Sequence, residues 1–418
     1  MNILLINHYA GSPDMGMEFR PYYFAREWVK AGHRVDILAG SFSHLRFRNP
    51  SVSKDFEREL VDGIGYRWVK TAAYKGNGLT RAWTMVQFVS KIRRAAGKLA
   101  GEIKPDVILC SSTYPMDTYA GQAVQKAAGG KPLLIHEAHD MWPSTLIELG
   151  GLSERNPFIR AVGRAERSAY RHADGVISMM PYTEAYMRKH GLTGLWTHIP
   201  LGYREEEWAR PEALNPLHKK ALGQIKKQST FTVGYFGGHA LSNHLEVLLS
   251  AAERLKTRPI HFVLVGKGVE KRALMERAAR EGLDKVHFLP PVPKKEIPSL
   301  LAEFDCVYAG AKKAKIDEEF GICMNKIVDI MMGEKPAVCA ISAKAIPVVL
   351  AGSGYAVPAD DDLVVSRKIL ELAAMKAEDR QAMGKRGRLY AEQHFKMSDL
   401  AGQVLSFVEA VKEEKAAR

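Results

Sequence analysis

Ile3–Ile6 is an unbroken apolar run closed by Asn7 and His8, the pattern of a strand buried on both faces. The period then changes. Phe19, Tyr22, Ala25 and Val29 recur at helical spacing across Glu18–Ala31, with Pro21 in the first turn and Gly32 just past the end. Val35–Ala39 is apolar again, so the first forty residues predict one strand–loop–helix–strand unit. Val107–Cys110, Leu133–His136 and Val176–Ser178 predict further strands, separated by amphipathic stretches such as Ile159–His172. Such alternation predicts a parallel sheet covered by helices.

About 230 residues on, the same grammar restarts. Thr232–Phe236 reads as a strand, Gly237-Gly238-His239 as a loop, His244–Lys256 as a helix and Ile260–Val265 as a strand. Between the two copies, Pro200–Lys220 is rich in proline and charge and reads as a linker. Two Rossmann-like domains facing each other account for this pattern most simply. The helical tail from Lys385 onward is expected to cross back onto the first domain.

The 418 residues are 46% apolar and 26% charged, ordinary for globular domains, which excludes intrinsic disorder. Cys110, Cys306, Cys323 and Cys339 form no CxxC, so no zinc or redox motif is available, and reduced thiols in a cytosolic setting are expected. No basic leader precedes the first apolar run, and no stretch approaches the roughly 20 apolar residues of a membrane span. The formal charge of +13 favours anionic partners: nucleic acid, phosphorylated metabolites or an anionic membrane surface. Nucleic acid is set aside, because no platform of interleaved aromatic and basic residues occurs.

Glycine loops follow three strands. Gly11–Met17 precedes a helix N-terminus, where backbone N–H groups and the helix dipole favour an anion, although a plain tight turn fits as well. It lacks the Lys-Ser/Thr of a nucleoside triphosphatase loop, and no GxGxxG occurs. Gly237-Gly238-His239 and Gly266-Lys267-Gly268 could together cradle a diphosphate, with Lys267 supplying charge. His136-Glu137-Ala138-His139-Asp140 looks metal-binding at first. On a strand, however, His136 and Asp140 face away from Glu137 and His139, which splits the set. His139 and Asp140 are expected at a ligand crevice beyond the strand end. In Asp317–Asp329 a carboxylate-rich loop runs through Phe320-Gly321 into a helix, placing Asn325, Lys326 and Asp329 on one face. A lysine there can neutralise phosphate and a carboxylate can accept from a ribose diol; a solvated Lys–Asp pair fits the same spacing.

The segments HYAGSPDMGMEFRPYYFAREWVKAGHRV, HEAHDMWP, GYFGGHALSNHLEVLL, VGKGVEKRAL and FGICMNKIVDIMMGEKP together resemble family 4 glycosyltransferases of the GT-B fold. Within it they are most similar to the O-antigen and capsule branch that includes WbuB-like N-acetylfucosamine transferases. The resemblance implies a nucleotide-sugar donor on the second domain, an acceptor on the first, and transfer with retention. It implies donor contacts at Gly16, Gly238, His239, Asn243, Gly266, Lys267, Gly321, Ile322, Asn325, Lys326 and Asp329. Acceptor contacts are expected at Met17, Glu18 and Arg20, and catalytic roles at His139, Asp140 and Glu318. The chain departs from the branch at Cys323-Met324, where Ser-Pro is usual, and at Lys267, where Asp is usual. The wider family's two glutamates eight positions apart are also missing, since Lys326 stands eight after Glu318.

These readings converge on an α/β, GT-B protein with domains at 1–202, joined by the returning 387–418, and at 203–386. The expected activity is retaining transfer from a UDP-linked sugar to a polyprenyl-diphosphate-linked saccharide, with no metal cofactor. The alternative is a nucleotide-sugar 2-epimerase of the same fold. Arg81–Lys104 holds six basic residues and one acidic. It reads as a basic amphipathic helix, with Trp83, Val86 and Phe88–Val89 as its apolar part, for docking the inner membrane face, although a helix covering the parallel sheet needs the same apolar stripe.

Overall fold

The computed structural model describes residues 1–16, 19–44, 46–76 and 78–417, which divide into two compact units. Met1–Pro200 and Met397–Arg418 form the first, and Leu201–Lys396 the second.

In the first unit, eight strands form one sheet: β1 (Asn2–Ile6), β2 (Arg34–Gly40), β3 (Glu57–Val61), β4 (Ile64–Val69), β5 (Val107–Cys110), β6 (Leu133–Ala138), β7 (Gly175–Ser178) and β8 (Leu195–His198). Their order is β3-β4-β2-β1-β5-β6-β7-β8, and all pairs are parallel except the β3–β4 hairpin. Ile3 and Leu5 enter one core with Val35 and Ile37, while Leu4 and Ile6 enter the other with Leu38 and Ile108. Burial on both faces is why the run is apolar throughout.

The second unit has six parallel strands: β9 (Phe231–Gly238), β10 (Ile260–Lys267), β11 (Val286–Leu289), β12 (Cys306–Gly310), β13 (Ala337–Ala340) and β14 (Gly354–Val357). Their order is β11-β10-β9-β12-β13-β14. In each sheet the direction of winding switches beside the first strand, between β1 and β5 and between β9 and β12. A crevice therefore opens beyond the carboxyl ends of these strands.

Three expectations change. Pro200–Lys220 is folded: it contains helix Glu205–Ala209 and the start of Pro216–Gln228, and Tyr203 joins the second unit's core with Trp208 and Leu214 packed against it. Its few apolar positions are hidden among charges along the sequence, and only packing brings them together. The C-terminal return begins at Met397 instead of 387. Helix Ala377–His394 stays with the second unit because its glycines let it lie flat. A Cβ at Gly384 would fall 1.9 Å from the Glu334 carbonyl oxygen. Helix Met397–Ala417 then buries Leu400, Val404, Phe407, Val408 and Val411 in the first unit, and Trp28 Nε1 donates to the Ala401 carbonyl at 2.9 Å.

Arg81–Lys104 is divided between two helices, Leu79–Arg94 and Ala96–Ile103. Phe88 and Val89 are buried with Met85 and Ile92, because the helix must cover the sheet. Lys91 is taken by Asp55 Oδ1 at 3.0 Å and by the Lys70 carbonyl at 2.7 Å. Leu79, Trp83 and Val86 remain outward on one face, with Arg93 and Arg94 also exposed. Among the described residues no helix is long and apolar enough to cross a membrane.

Candidate active site

In the second unit, β9 and β10 end side by side, Gly237 in register with Gly266 and Gly238 with Lys267. The two ends are locked by His239 N–H donating to the Lys267 carbonyl at 2.9 Å. A Cβ at Gly266 would stand 1.9 Å from the Gly237 carbonyl oxygen, and one at Gly268 2.2 Å from that of His239. Only glycine permits such an approach.

Above this floor, Tyr235 OH and Asn243 Nδ2 donate to the Gly238 carbonyl at 2.5 and 3.0 Å. Asn243 Oδ1 accepts from Lys326 Nζ at 3.0 Å, and that ammonium lies 4.1 Å from the centre of the Tyr235 ring. Lys326 is in the first turn of helix Asn325–Met332, whose unpaired N–H groups add positive potential. Burial pushes its ammonium down to about 7. No carboxylate forms an ion pair with it among the described residues. A half-buried cation, a helix N-terminus and a glycine floor together make a seat for an anion.

Gly238, Asn243 and Lys326 are thus brought together as expected. The remaining donor candidates are placed differently. The His239 ring is fully buried, tilted against Tyr235 and edge-on to Phe288. Burial, then Lys271 and Lys326, pushes it down to about 4, so it is neutral and serves the loop through its backbone. Lys267 and Asn325 are exposed. Asp329 is buried and accepts from Lys294 Nζ at 2.5 Å. Burial raises its carboxyl, Lys294 opposes that, and Glu207 adds to it. Lys326 and Asp329 therefore have separate partners and do not form the solvated pair that their spacing allowed. Gly321, at φ +79°, ends a short helix, Lys315–Phe320, where a loop was expected; Ile322 beside it is half-buried. Glu318 lies on that helix, exposed, 3.8 Å from Lys313. It takes no part in the Lys326 cluster.

In the first unit, polar groups gather beyond β1, β5 and β6. Glu137 is 1% exposed. Its Oε1 accepts from Arg20 Nε at 2.9 Å, and its Oε2 meets Ser111 Oγ at 2.5 Å and His139 Nε2 at 2.9 Å. Ser111 Oγ is also 2.9 Å from His139 Nε2. Burial alone would push the Glu137 carboxyl up, but Arg20, His139 and Ser111 together hold it well below the usual carboxylate range. Arg20, expected at the acceptor, is instead buried: it clamps Glu137, donates to the Ile199 carbonyl at 2.8 Å and covers the Phe24 ring. Asp140 accepts from Thr145 Oγ1 at 2.6 Å, Met141 N–H at 2.8 Å and Trp142 Nε1 at 3.1 Å. It organises the turn after β6, which leaves His139 as the residue at the crevice. Gly16 is needed at its φ of +84°, and a Cβ there would strike the Phe47 ring. Met17 and Glu18 lie outside the described residues.

Ser111 and Glu137 are the groups that sequence reasoning left without a role. A clue to Glu137 was present, since a carboxylate inside a buried strand needs a cationic partner, but nothing along the chain points to Arg20, 117 residues away. Among the described residues no three His, Cys, Asp or Glu side chains come together as a metal site.

Comparison with known proteins adds three findings. Residues 15–202 match the family described as Glycosyl transferase 4-like domain, and residues 223–390 that described as Glycosyl transferases group 1. A curated relative is WcaI of Escherichia coli K12, assigned to colanic acid biosynthesis as a glycosyl transferase. It is 30% identical over 97 residues, which span 23% of this chain and 23% of WcaI. Sucrose-phosphate synthase from Thermosynechococcus elongatus superimposes with a TM-score of 0.72 at 18% identity, covering 100% of this chain and 99% of its own. HepE from Anabaena, solved with UDP and glucose, gives 0.67 at 19%, covering 98% and 99%. At such identities the likeness shows the fold alone, and that fold is the GT-B class.

Proposed function

We infer, for a chain built of a glycosyl transferase 4-like domain followed by a group 1 glycosyl transferase domain, that it moves a sugar from a UDP-linked donor to a lipid-linked saccharide acceptor. The product would be a bacterial surface polysaccharide, a reading supported by the stretch shared with WcaI. The carrying observation is the Lys326 seat: an ammonium held by Asn243 and Tyr235 over a glycine floor, with no carboxylate of its own. Charge-assisted contacts from such a lysine to a diphosphate contribute about 1.5–3 kcal/mol each. They would strengthen as the diphosphate leaves, which lowers the barrier to transfer. Asp329 would accept from the ribose in exchange for Lys294. His139 would orient the transferred sugar. With no carboxylate assigned as a nucleophile, front-face displacement with retention is the favoured course, the leaving diphosphate taking the acceptor's proton. No metal ion is called for by this scheme, since lysine and helix supply the positive charge.

The acceptor would reach the first unit at the membrane surface through Leu79, Trp83, Val86, Arg93 and Arg94. The 2-epimerase alternative is not favoured, because both family matches are to glycosyl transferases. Calorimetric titration with UDP, GDP and UMP, followed by assay of UDP release from UDP-sugars with and without lipid-linked acceptors, tests the reading. Binding of UDP well above UMP is expected. Failure to bind any nucleoside diphosphate would refute it.

A further inference from the structure

Glu137 sits at the carboxyl end of β6 with its two oxygens assigned to different neighbours. Arg20 occupies Oε1, leaving Oε2 to Ser111 Oγ at 2.5 Å and His139 Nε2 at 2.9 Å. An ionised carboxylate only accepts hydrogen bonds, and the Arg20 charge keeps this one ionised. The proton of a neutral His139 ring is therefore drawn to Nε2, and the lone pair stays on Nδ1. A hydrolase-type triad is excluded by the same geometry. There the nucleophile and the acid sit on opposite ring nitrogens, whereas Ser111 and Glu137 both sit on Nε2.

We propose that Glu137 is a positioning residue of the transfer site: through Oε2 it selects the tautomer and ring plane with which His139 meets the transferred sugar, while Arg20 holds Glu137 itself. This rests on the reading of His139 given under the proposed function. Ser111 anchors the same oxygen from a second side, so the ring has one orientation to adopt. The arrangement is built from three distant parts of the chain: helix Phe19–Lys30, the end of β5 and the end of β6.

The test is Glu137→Gln. Arg20 offers only donors, so the amide oxygen must face it, and the amide NH2 then turns to Ser111 and His139. His139 Nε2 would have to accept, moving the ring proton to Nδ1. In a serine protease the equivalent carboxylate-to-amide change yields the wrong tautomer and lowers turnover about 10⁴-fold. Here His139 positions and does not relay a proton, so a loss of about 100-fold is expected. The full chain labelled with 15N-histidine is read by long-range N–H correlation spectra, with the His139 signals identified from His139→Gln. Turnover is followed as hydrolysis of UDP-N-acetylglucosamine. The expected result is Nε2–H in the wild type, Nδ1–H in Glu137→Gln, and a fall in kcat with the UDP dissociation constant within threefold. An Nδ1–H tautomer in the wild type overturns the proposal even if the variant does not fold. So does an unchanged tautomer in a folded variant, or inversion without loss of turnover. Failure of the wild type to bind UDP would refute the donor reading and leave the tautomer result standing, so the two failures are distinguishable.

Discussion

On the proposed reading, Lys326 would make nucleotide binding a proton-uptake reaction. Burial holds its ammonium at about 7 in the free protein, so at pH 7.5 about a quarter of molecules carry the charge. A diphosphate in contact favours the charged form and returns the group toward about 10.4, the ordinary lysine range. Binding at pH 7.5 should therefore take up about 0.75 proton, approaching one at pH 8.5. The sign follows directly: the protonated form is the binding form, so affinity falls as pH rises through the free-state value. From pH 7 to 8.5 the charged fraction drops from about one half to about 3%, a loss of roughly 16-fold in affinity. Calorimetric titration with UDP in phosphate, HEPES and Tris reads the uptake as the slope of observed enthalpy against buffer ionisation enthalpy. Lys326→Arg supplies the control, because a guanidinium stays charged throughout this range. Its slope should be near zero and its affinity flat with pH. A wild-type slope near zero, or one unchanged in Lys326→Arg, would refute the reasoning.

Asp329→Ala should weaken UDP binding by about 1.5–3 kcal/mol while leaving a cooperative melt, since Lys294 can turn back to water; unchanged affinity would remove the ribose assignment. Gly266→Ala should lower the urea midpoint by an amount equivalent to about 1–3 kcal/mol and abolish UDP binding, because the new Cβ forces the β9 and β10 ends apart. Turnover should survive excess EDTA; a loss restored by magnesium or manganese would show that a metal ion serves the diphosphate. Co-sedimentation with anionic vesicles should be salt-sensitive and weaken when Trp83 is changed to Ser and Arg93 and Arg94 to Glu, as about 1 kcal/mol per basic residue near the surface implies. Equal binding by both forms would remove that face from the docking account.

Much of the fold is legible in the one-dimensional pattern. Val107–Cys110 was recognisable residue for residue, because a strand buried on both faces leaves no polar position to blur its ends. The apolar pattern of Leu133–His136 stops two residues short of the strand's end at Ala138. The strand runs on through Glu137, whose charge looks like a boundary until Arg20 is placed against it. Asn243 and Lys326 could each be singled out as polar residues at strand-end or helix-start positions, but their contact spans 83 residues.

Local physics thus determined which segments are strands and helices and which side chains stand near strand ends. The period of burial acts within a few residues, so it is written along the chain, whereas the steric demand for glycine at Gly266, Gly268 and Gly384 comes from the distant backbone of Gly237, His239 and Glu334. The roles of the charged side chains were decided only in three dimensions. Arg20 through the resemblance, Asp329 through its helical spacing and Lys91 through its basic stretch are each candidates for binding. Each is instead consumed by a partner far away in sequence: Glu137, Lys294 and Asp55. Conversely, Lys326 shares its helix face with a carboxylate yet ends without one, and so remains able to take an anion. A buried charge must be paired or left for a ligand. Which of the two holds depends on neighbours that only the folded chain brings together.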